Sequence, residues 1–256
     1  TIRGYLGNYP QLLAQQRVSL TFEVELAASG AAGTAPAWGP AMKSCAMSQT
    51  IVSSTSVTYA PVSSSFDSCT FYVGIDGIRH KITGARGSFS LNASVGEIPV
   101  ISFTFTGIYN DPTDTALPTC TYANQADPVI FKNGNTTALQ IFSYSASLQS
   151  FSYDQNNETI YNEFVGGTKE ILVTDRKPAG EAVIEAPALS AKNFFTTATG
   201  TATGNLTFQH GQTAGNKCTF TAGQIDIASP AYTEENGIQM LSLPYVATPT
   251  SAGNNE

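Results

Sequence analysis

Residues 70–82 read Thr-Phe-Tyr-Val-Gly-Ile-Asp-Gly-Ile-Arg-His-Lys-Ile. One strand-like run meets Asp76-Gly77 and returns through Ile78, His80 and Ile82. An Asp-Gly pair between alternating runs predicts a two-residue hairpin, because both central residues of a type I′ turn need positive φ. Upstream, Val18, Leu20, Phe22, Val24 and Leu26 share one side of VSLTFEVEL, while Glu23 and Glu25 share the other. That is the period-2 pattern of a half-buried strand. Downstream, Ile101, Phe103 and Phe105 alternate with Ser102, Thr104 and Thr106, in a run opened by Pro99 and closed by Gly107. The fold class that follows is all-β with minor helix, an antiparallel β-sandwich or barrel wall.

Two short segments allow helix. Gly39 to Met47 is opened by Pro40, and Pro187 to Thr197 has Pro187 suited to the first turn and Leu189, Phe194 and Phe195 placed to face a sheet. Each follows a strand, VSLTFEVEL in one case and GEAVIEA in the other, and precedes more strand-like sequence. The recurrence suggests two tandem β-rich units, residues 18–122 and 123–256 behind an arm of residues 1–17, with the Pro-rich and polar stretch Asn110 to Asn135 as the seam. A single enlarged domain is the alternative.

Composition removes several classes of function. Only 12% of residues are charged, with 12 Lys+Arg against 19 Asp+Glu, so the net charge of -7 speaks against a surface that neutralises DNA. Hydrophobic content of 41% with so little charge suits a protein covered largely by copies of itself. Neither a membrane-spanning helix nor a signal peptide is visible. Cys45, Cys69, Cys120 and Cys218 are scattered without a C-x-x-C pair and read as reduced, mostly buried small apolar residues.

Chemistry finds little raw material. His80 and His210 are the two histidines, too few for a multi-histidine metal site. His210 and Cys218 flank GQTAGN and approach each other across a predicted hairpin, where packing is the expected role. Glu23, Glu25, Asp76, Glu97, Asp175 and Glu185 are the carboxylates from which a glycosidase pair would have to come, but the single Trp38 offers no row of sugar-stacking platforms. Trp38 reads instead as a packing anchor. Val165-Gly166-Gly167-Thr168-Lys169 lacks the spacing of a phosphate loop and reads as a turn. Sequons at Asn92, Asn135, Asn157 and Asn205 are expected by chance in a chain so rich in Asn, Ser and Thr. No catalytic residue, cofactor or metal is assigned.

The order of VSLTFEVELA, GTAPAWGPAMKSCAM, TFYVGIDGIRHKITGARGSFSL and GEIPVISFTFTG, followed by DRKPAGEAVIEAP and EENGIQMLSLPYV, resembles the tail tube (major tail) proteins of long-tailed bacteriophages. The resemblance implies a structural virion protein. Its fold would be a β-sandwich with a flanking helix whose inner sheet joins those of neighbouring subunits into a tube-lining β-barrel. Stacked rings would form a conduit for DNA ejection in a non-contractile tail, built in the cytoplasm of the host bacterium. With two units per chain the expected ring is a trimer of pseudo-sixfold symmetry, a hexamer being the alternative. Further implied partners are a tape-measure protein, tail terminator and distal tail or baseplate proteins, and double-stranded DNA passing through non-specifically; no membrane is implied. A secreted or virion-surface adhesin or decoration module is the competing class.

Two segments are the candidate assembly contacts. One is the hairpin of Asp76 and Gly77 with Arg79, His80 and Lys81 near its tip. The other is the N-terminal arm with its apolar patches Tyr5, Leu6, Tyr9, Leu12 and Leu13. A lumen that lets DNA pass should be acidic or neutral, since a basic lining would hold the phosphates.

Overall fold

Alternation in the sequence becomes alternation in burial: along β1 (Arg17–Glu25) every second side chain is turned to solvent. The computed structural model describes residue 8 and residues 12–256. After β1 come α1 (Gly39–Lys43), β2 (Met47–Val52), β3 (Ser56–Pro61), β4 (Cys69–Ile75), β5 (Ile78–Ser94), β6 (Val100–Tyr109) and β7 (Thr113–Asp114). Then follow β8 (Leu139–Ile141), β9 (Tyr144–Ala146), β10 (Leu148–Asp154), β11 (Asn157–Glu163), β12 (Lys169–Arg176) and β13 (Ala179–Glu185). The chain ends with α2 (Phe194–Thr199), β14 (Gly204–His210), β15 (Cys218–Ile227), β16 (Ala231–Glu235) and β17 (Ile238–Ala247).

Thirteen strands form one antiparallel sheet in the order β1-β6-β5-β10-β13-β17-β15-β14-β8-β9, with β16 on β17 and with β4 and β7 on β5. The pairs β11-β12 and β2-β3 stand apart as hairpins. The sheet does not close on itself within the chain.

Aromatic contacts show how the sheet folds over its own core. Phe22 on β1 lies 5.7 Å from Phe71 on β4, although β6 and β5 separate those strands in hydrogen-bond order. The same happens in the second half, where Phe151 on β10 lies 4.9 Å from Phe208 on β14 and 5.0 Å from Phe220 on β15. Each fold-over makes a sandwich, and Tyr153 joins the two, 5.9 Å from Phe89 and 5.0 Å from Phe220. Phe103 and Phe105 are fully buried in the first, against Phe22 and Phe71.

The Asp76-Gly77 turn forms as the sequence demands, with φ of 44° and 80°. Gly107 departs from expectation: it does not end β6, which runs on to Tyr109. A Cβ there would lie 2.3 Å from Ile82 Cγ2 and 3.2 Å from Ala85 Cβ, beside the register shift between Thr83 and Arg86. Glycine is needed for close approach at a bulge, not for termination. The second helix begins later than expected, at Phe194, because Asn193 is its N-cap and accepts from the Thr196 amide at 3.1 Å. Leu189 is consequently exposed, whereas Phe194 is buried. The first helix stops at Lys43.

Trp38 anchors α1 as expected, its Nε1 donating to Ala27 O at 2.9 Å and its ring 5.4 Å from Tyr59. All four cysteines are free; Cys45 is buried, Cys69 and Cys218 are half-buried and Cys120 is exposed, so they are less buried as a set than expected. The C-terminal residues dock on their own chain, where Arg176 pairs with Glu256 and donates to Val62 O at 2.9 Å.

Candidate functional site

With one face of the large sheet spent on the core, its other face carries the side chains that the alternation leaves over. Residues directly opposite in a sheet share a face. One such row runs Glu23, Ser102, Ser90, Asp154, Ala179, Val246, Asp226 across seven strands from β1 to β15. Beside it a second row runs Glu25, Val100, Asn92, Ser152, Glu181, Pro244. At a strand spacing of about 4.8 Å the first row is about 29 Å long. Its three carboxylates, on Glu23, Asp154 and Asp226, are exposed.

Hydroxyls hold some of these acids in place. Ser102 Oγ donates to Glu23 Oε1 at 2.9 Å, and Ser242 Oγ donates to Glu181. A shallow open depression between Ser88, Ser90, Ser102, Thr104 and Asp154 continues the polar surface. Arg86 shares this face with Ser88 but is not free to meet a ligand. Its Nε donates to Asp67 O at 3.2 Å, its Nη2 to Phe66 O at 2.8 Å and its Nη1 to Ile171 O at 2.5 Å. These bonds fasten the β11-β12 hairpin at the Arg86 end of the face, helped by Asn157 N donating to Ser88 Oγ at 3.1 Å. Asn157 also donates to Cys45 O and Gly87 O, a structural use of that sequon asparagine.

The predicted contact residues fall elsewhere. At the tip of β4-β5, Arg79 lies 5.3 Å over the Tyr72 ring, while Lys81 and His80 stand opposite Tyr72 and Val73. Ile75 and Ile78 beside Asp76-Gly77 are exposed, so the tip is apolar as well as basic. Leu12 and Leu13 are exposed, at 95% and 78%. Tyr5, Leu6 and Tyr9 lie outside the described residues.

Chemistry stays as sparse as the sequence indicated. The six carboxylates weighed for glycoside cleavage are dispersed over β1, the Asp76 turn, the β5-β6 loop, β12 and β13. His210 faces Cys218 across β14-β15; Thr136 Oγ1 donates to its Nδ1 at 2.8 Å and its Nε2 donates to Val129 O at 3.0 Å, so both ring nitrogens are occupied. Burial pushes the Cys218 thiol up to about 11, where it is inert. Among the described residues no group of three His, Cys, Asp or Glu side chains is placed to hold a metal. The Val165 to Lys169 segment is the tip of β11-β12, with Phe164 and Val165 exposed.

A family model described as phage tail tube protein matches residues 1–247. The chain belongs to the phage tail tube family. No curated protein matches it. Membership makes it a structural component of the virion tail that assembles with itself into a tube. Among the described residues no helix is long and apolar enough to cross a membrane. The acidic rows were not foreseen residue by residue. Their signal was present in the Ser, Thr and Glu positions opposite the apolar ones, but only strand order lines them up.

Proposed function

We propose that this tail tube protein closes into rings of three copies, that the rings stack, and that the acidic rows face the lumen through which double-stranded DNA passes into the host cell. The observation that carries this reading is the seven-strand row with three exposed carboxylates, on a sheet left open within the chain. Open edges demand partners, and closure between copies satisfies them.

Strand arithmetic supports three copies. With eight strands per copy, the seven of the row and one at the junction between copies that keeps the closed sheet antiparallel, spacing of about 4.8 Å and tilt of about 40°, a closed wall of two copies is about 32 Å across, three about 48 Å and six about 96 Å. Side chains take about 5 Å from each wall, leaving about 22, 38 and 86 Å. A B-form duplex, with grooves about 8.5 and 7.5 Å deep from opposite sides, passes with its water and counterions only through the wider two. Six copies leave far more room than a duplex uses.

The two-unit division into residues 18–122 and 123–256 is supported by register. Glu25 stands opposite Val100 in β1-β6, and Glu185 opposite Met240 in β13-β17, so Ser102 and Ser242 occupy like places, as do Phe105 and Tyr245. Leu12, Leu13 and the Asp76-Gly77 tip, with Arg79, His80 and Lys81, are proposed contacts to neighbouring copies or rings. A tape-measure protein before ejection and terminator, distal tail or baseplate proteins at the tube ends are the further partners the family suggests.

Electron microscopy of the purified protein at high concentration tests the reading. End-on views should show rings with a central hole and threefold symmetry. Sixfold rings of separate copies would overturn the stoichiometry, and persistent monomers across protein concentrations and salts would overturn the ring itself.

A further inference from the structure

The internal seam of this chain is a template for the seam between chains. On β6, Ser102 is flanked by Glu23 of β1 and by Ser90 of β5. On β17, the matching Ser242 is flanked by Val183 of β13 and by Ala231 of β16. The C-terminal part of β5, Ser90–Ser94, therefore corresponds to β16, and β1 corresponds to β13. The outer edge of Ser90–Ser94 is covered by β10, which hands the sheet on to β13. Among the described residues no strand covers the outer edge of β16, and all five of its residues are exposed.

Resting on the tube reading above, we propose that β16 is the edge that receives a second copy of this chain, entering from its β1 side. A strand of that copy takes the place that β10 fills within the chain. Its β1 then continues the sheet as β13 does. The occupant follows from correspondence: what stands beyond the seam inside the chain is the counterpart of β1, and among the described residues β1 is itself an open end of the same sheet. Joining two different edges is heterologous, and such contacts close into a ring when the rotation between copies divides a full turn.

The bonding groups can be named. Asn236-Gly237, with φ of 51° and 78°, is a two-residue turn, so Glu235 and Ile238 exchange hydrogen bonds and so do Thr233 with Met240 and Ala231 with Ser242. The amides of Tyr232 and Glu234 then point outward. The partner strand agrees with this parity, since Gln239 O, opposite Glu234, is turned to the β13 side and accepts from Ala186 N at 3.1 Å.

The test is Glu234→Pro, which removes one outward amide while leaving the β16-β17 ladder intact, as proline on an edge strand does. The variant should stay a folded monomer yet fail to sediment as rings or tubes where the natural protein does, and Glu234→Ala, which keeps the amide, should assemble normally. Assembly of Glu234→Pro at the natural level, or equal failure of Glu234→Ala, overturns the proposal. Amide exchange on the unmutated protein gives an answer independent of folding: Tyr232 and Glu234 should gain at least about tenfold protection on assembly, whereas Thr233 is protected already. Unchanged exchange at Tyr232 and Glu234 in assembled tubes would overturn the proposal; absence of any assembly by the natural protein would instead overturn the tube reading on which it rests.

Discussion

Replacing Arg86 with methionine should loosen the β11-β12 hairpin and cost about 3 kcal/mol of stability. The guanidinium gathers carbonyls from two separate places, Phe66 and Asp67 before β4 and Ile171 in β12. A hydrogen bond to a charged group contributes about 1.5–3 kcal/mol. The bond to Asp67 is exposed and adds little, while the other two are partly buried. Methionine keeps most of the packing of the arginine stem, so the loss is chiefly that of two bonds, reduced by partial solvent access to the carbonyls. At about 2–4 °C per kcal/mol for a chain of this size, thermal unfolding should move down by about 6–12 °C. Arg86→Lys, a single ammonium that cannot reach both places, should recover only about 1 kcal/mol. Limited trypsin digestion should show faster cleavage after Lys169, at the far end of the released hairpin. A Tm within about 2 °C of the natural protein, or unchanged cleavage at Lys169, would refute the clamp.

Gly107→Ala should cost about 1–3 kcal/mol, because the added methyl meets Ile82 in a filled core; urea unfolding measures it, and a neutral result would deny the close approach. Burial holds His210 below its ordinary value of 6.5, against the opposing hydrogen bond to Val129. The folded state thus favours neutral imidazole. Its contribution is complete above about pH 6.5 and falls as pH drops from there toward the lowered folded value, so His210→Gln should flatten stability between about pH 5 and 7. Burial is the largest single influence on the Glu256 carboxyl and works to raise its pKa, but the hydrogen bond from Arg176, the backbone hydrogen bonds and the Arg176 charge together outweigh it and the net shift is downward. The stability from that pair should accordingly be present above the ordinary 4.5 and be lost as pH falls through the lowered value, a loss absent in Glu256→Gln. Changing Glu23, Asp154 and Asp226 to lysine together should make assembled tubes retain a short DNA duplex at low salt and release it as salt rises, whereas natural tubes should retain none.

Strand identity was legible wherever one face is buried, because period-2 alternation is forced by the pleat. Val18 to Leu26, the Asp76-Gly77 hairpin and Ile101 to Phe105 are of this kind. Gly107 was misread because a glycine that ends a strand and one that admits a neighbour look alike without the bulge in β5. Asn193 outcompeted Pro187 as the helix start because its side chain satisfies an orphan amide, a local competition that composition does not rank. The acidic rows were less legible still: Glu23 and Asp154 lie far apart in sequence, and only the order β1-β6-β5-β10 sets them in one line.

A β-sheet offers two faces and two edges, and in this chain each has a different neighbour. The core takes one face, which requires the dense aromatic packing around Phe105 and Phe151. In the proposed ring other copies take the edges, where strand pairing satisfies the outward amides and carbonyls. The remaining face can therefore be tuned for what passes over it. In the proposed three-copy ring a duplex at least about 16 Å thick, centred in a lumen of about 38 Å, would leave a gap of at most about 11 Å on each side. That gap is on the order of the Debye length, about 8 Å at physiological salt. In that ring carboxylates at Glu23, Asp154 and Asp226 would repel a phosphate that drifts to the wall and act more weakly on a centred duplex. Serine and threonine between them supply hydrogen-bonded water without a cation to hold the backbone. A wall of this kind confines DNA without binding it, and weakly acidic rows achieve this better than a dense anionic coat, whose mutual repulsion would oppose closure of the ring itself.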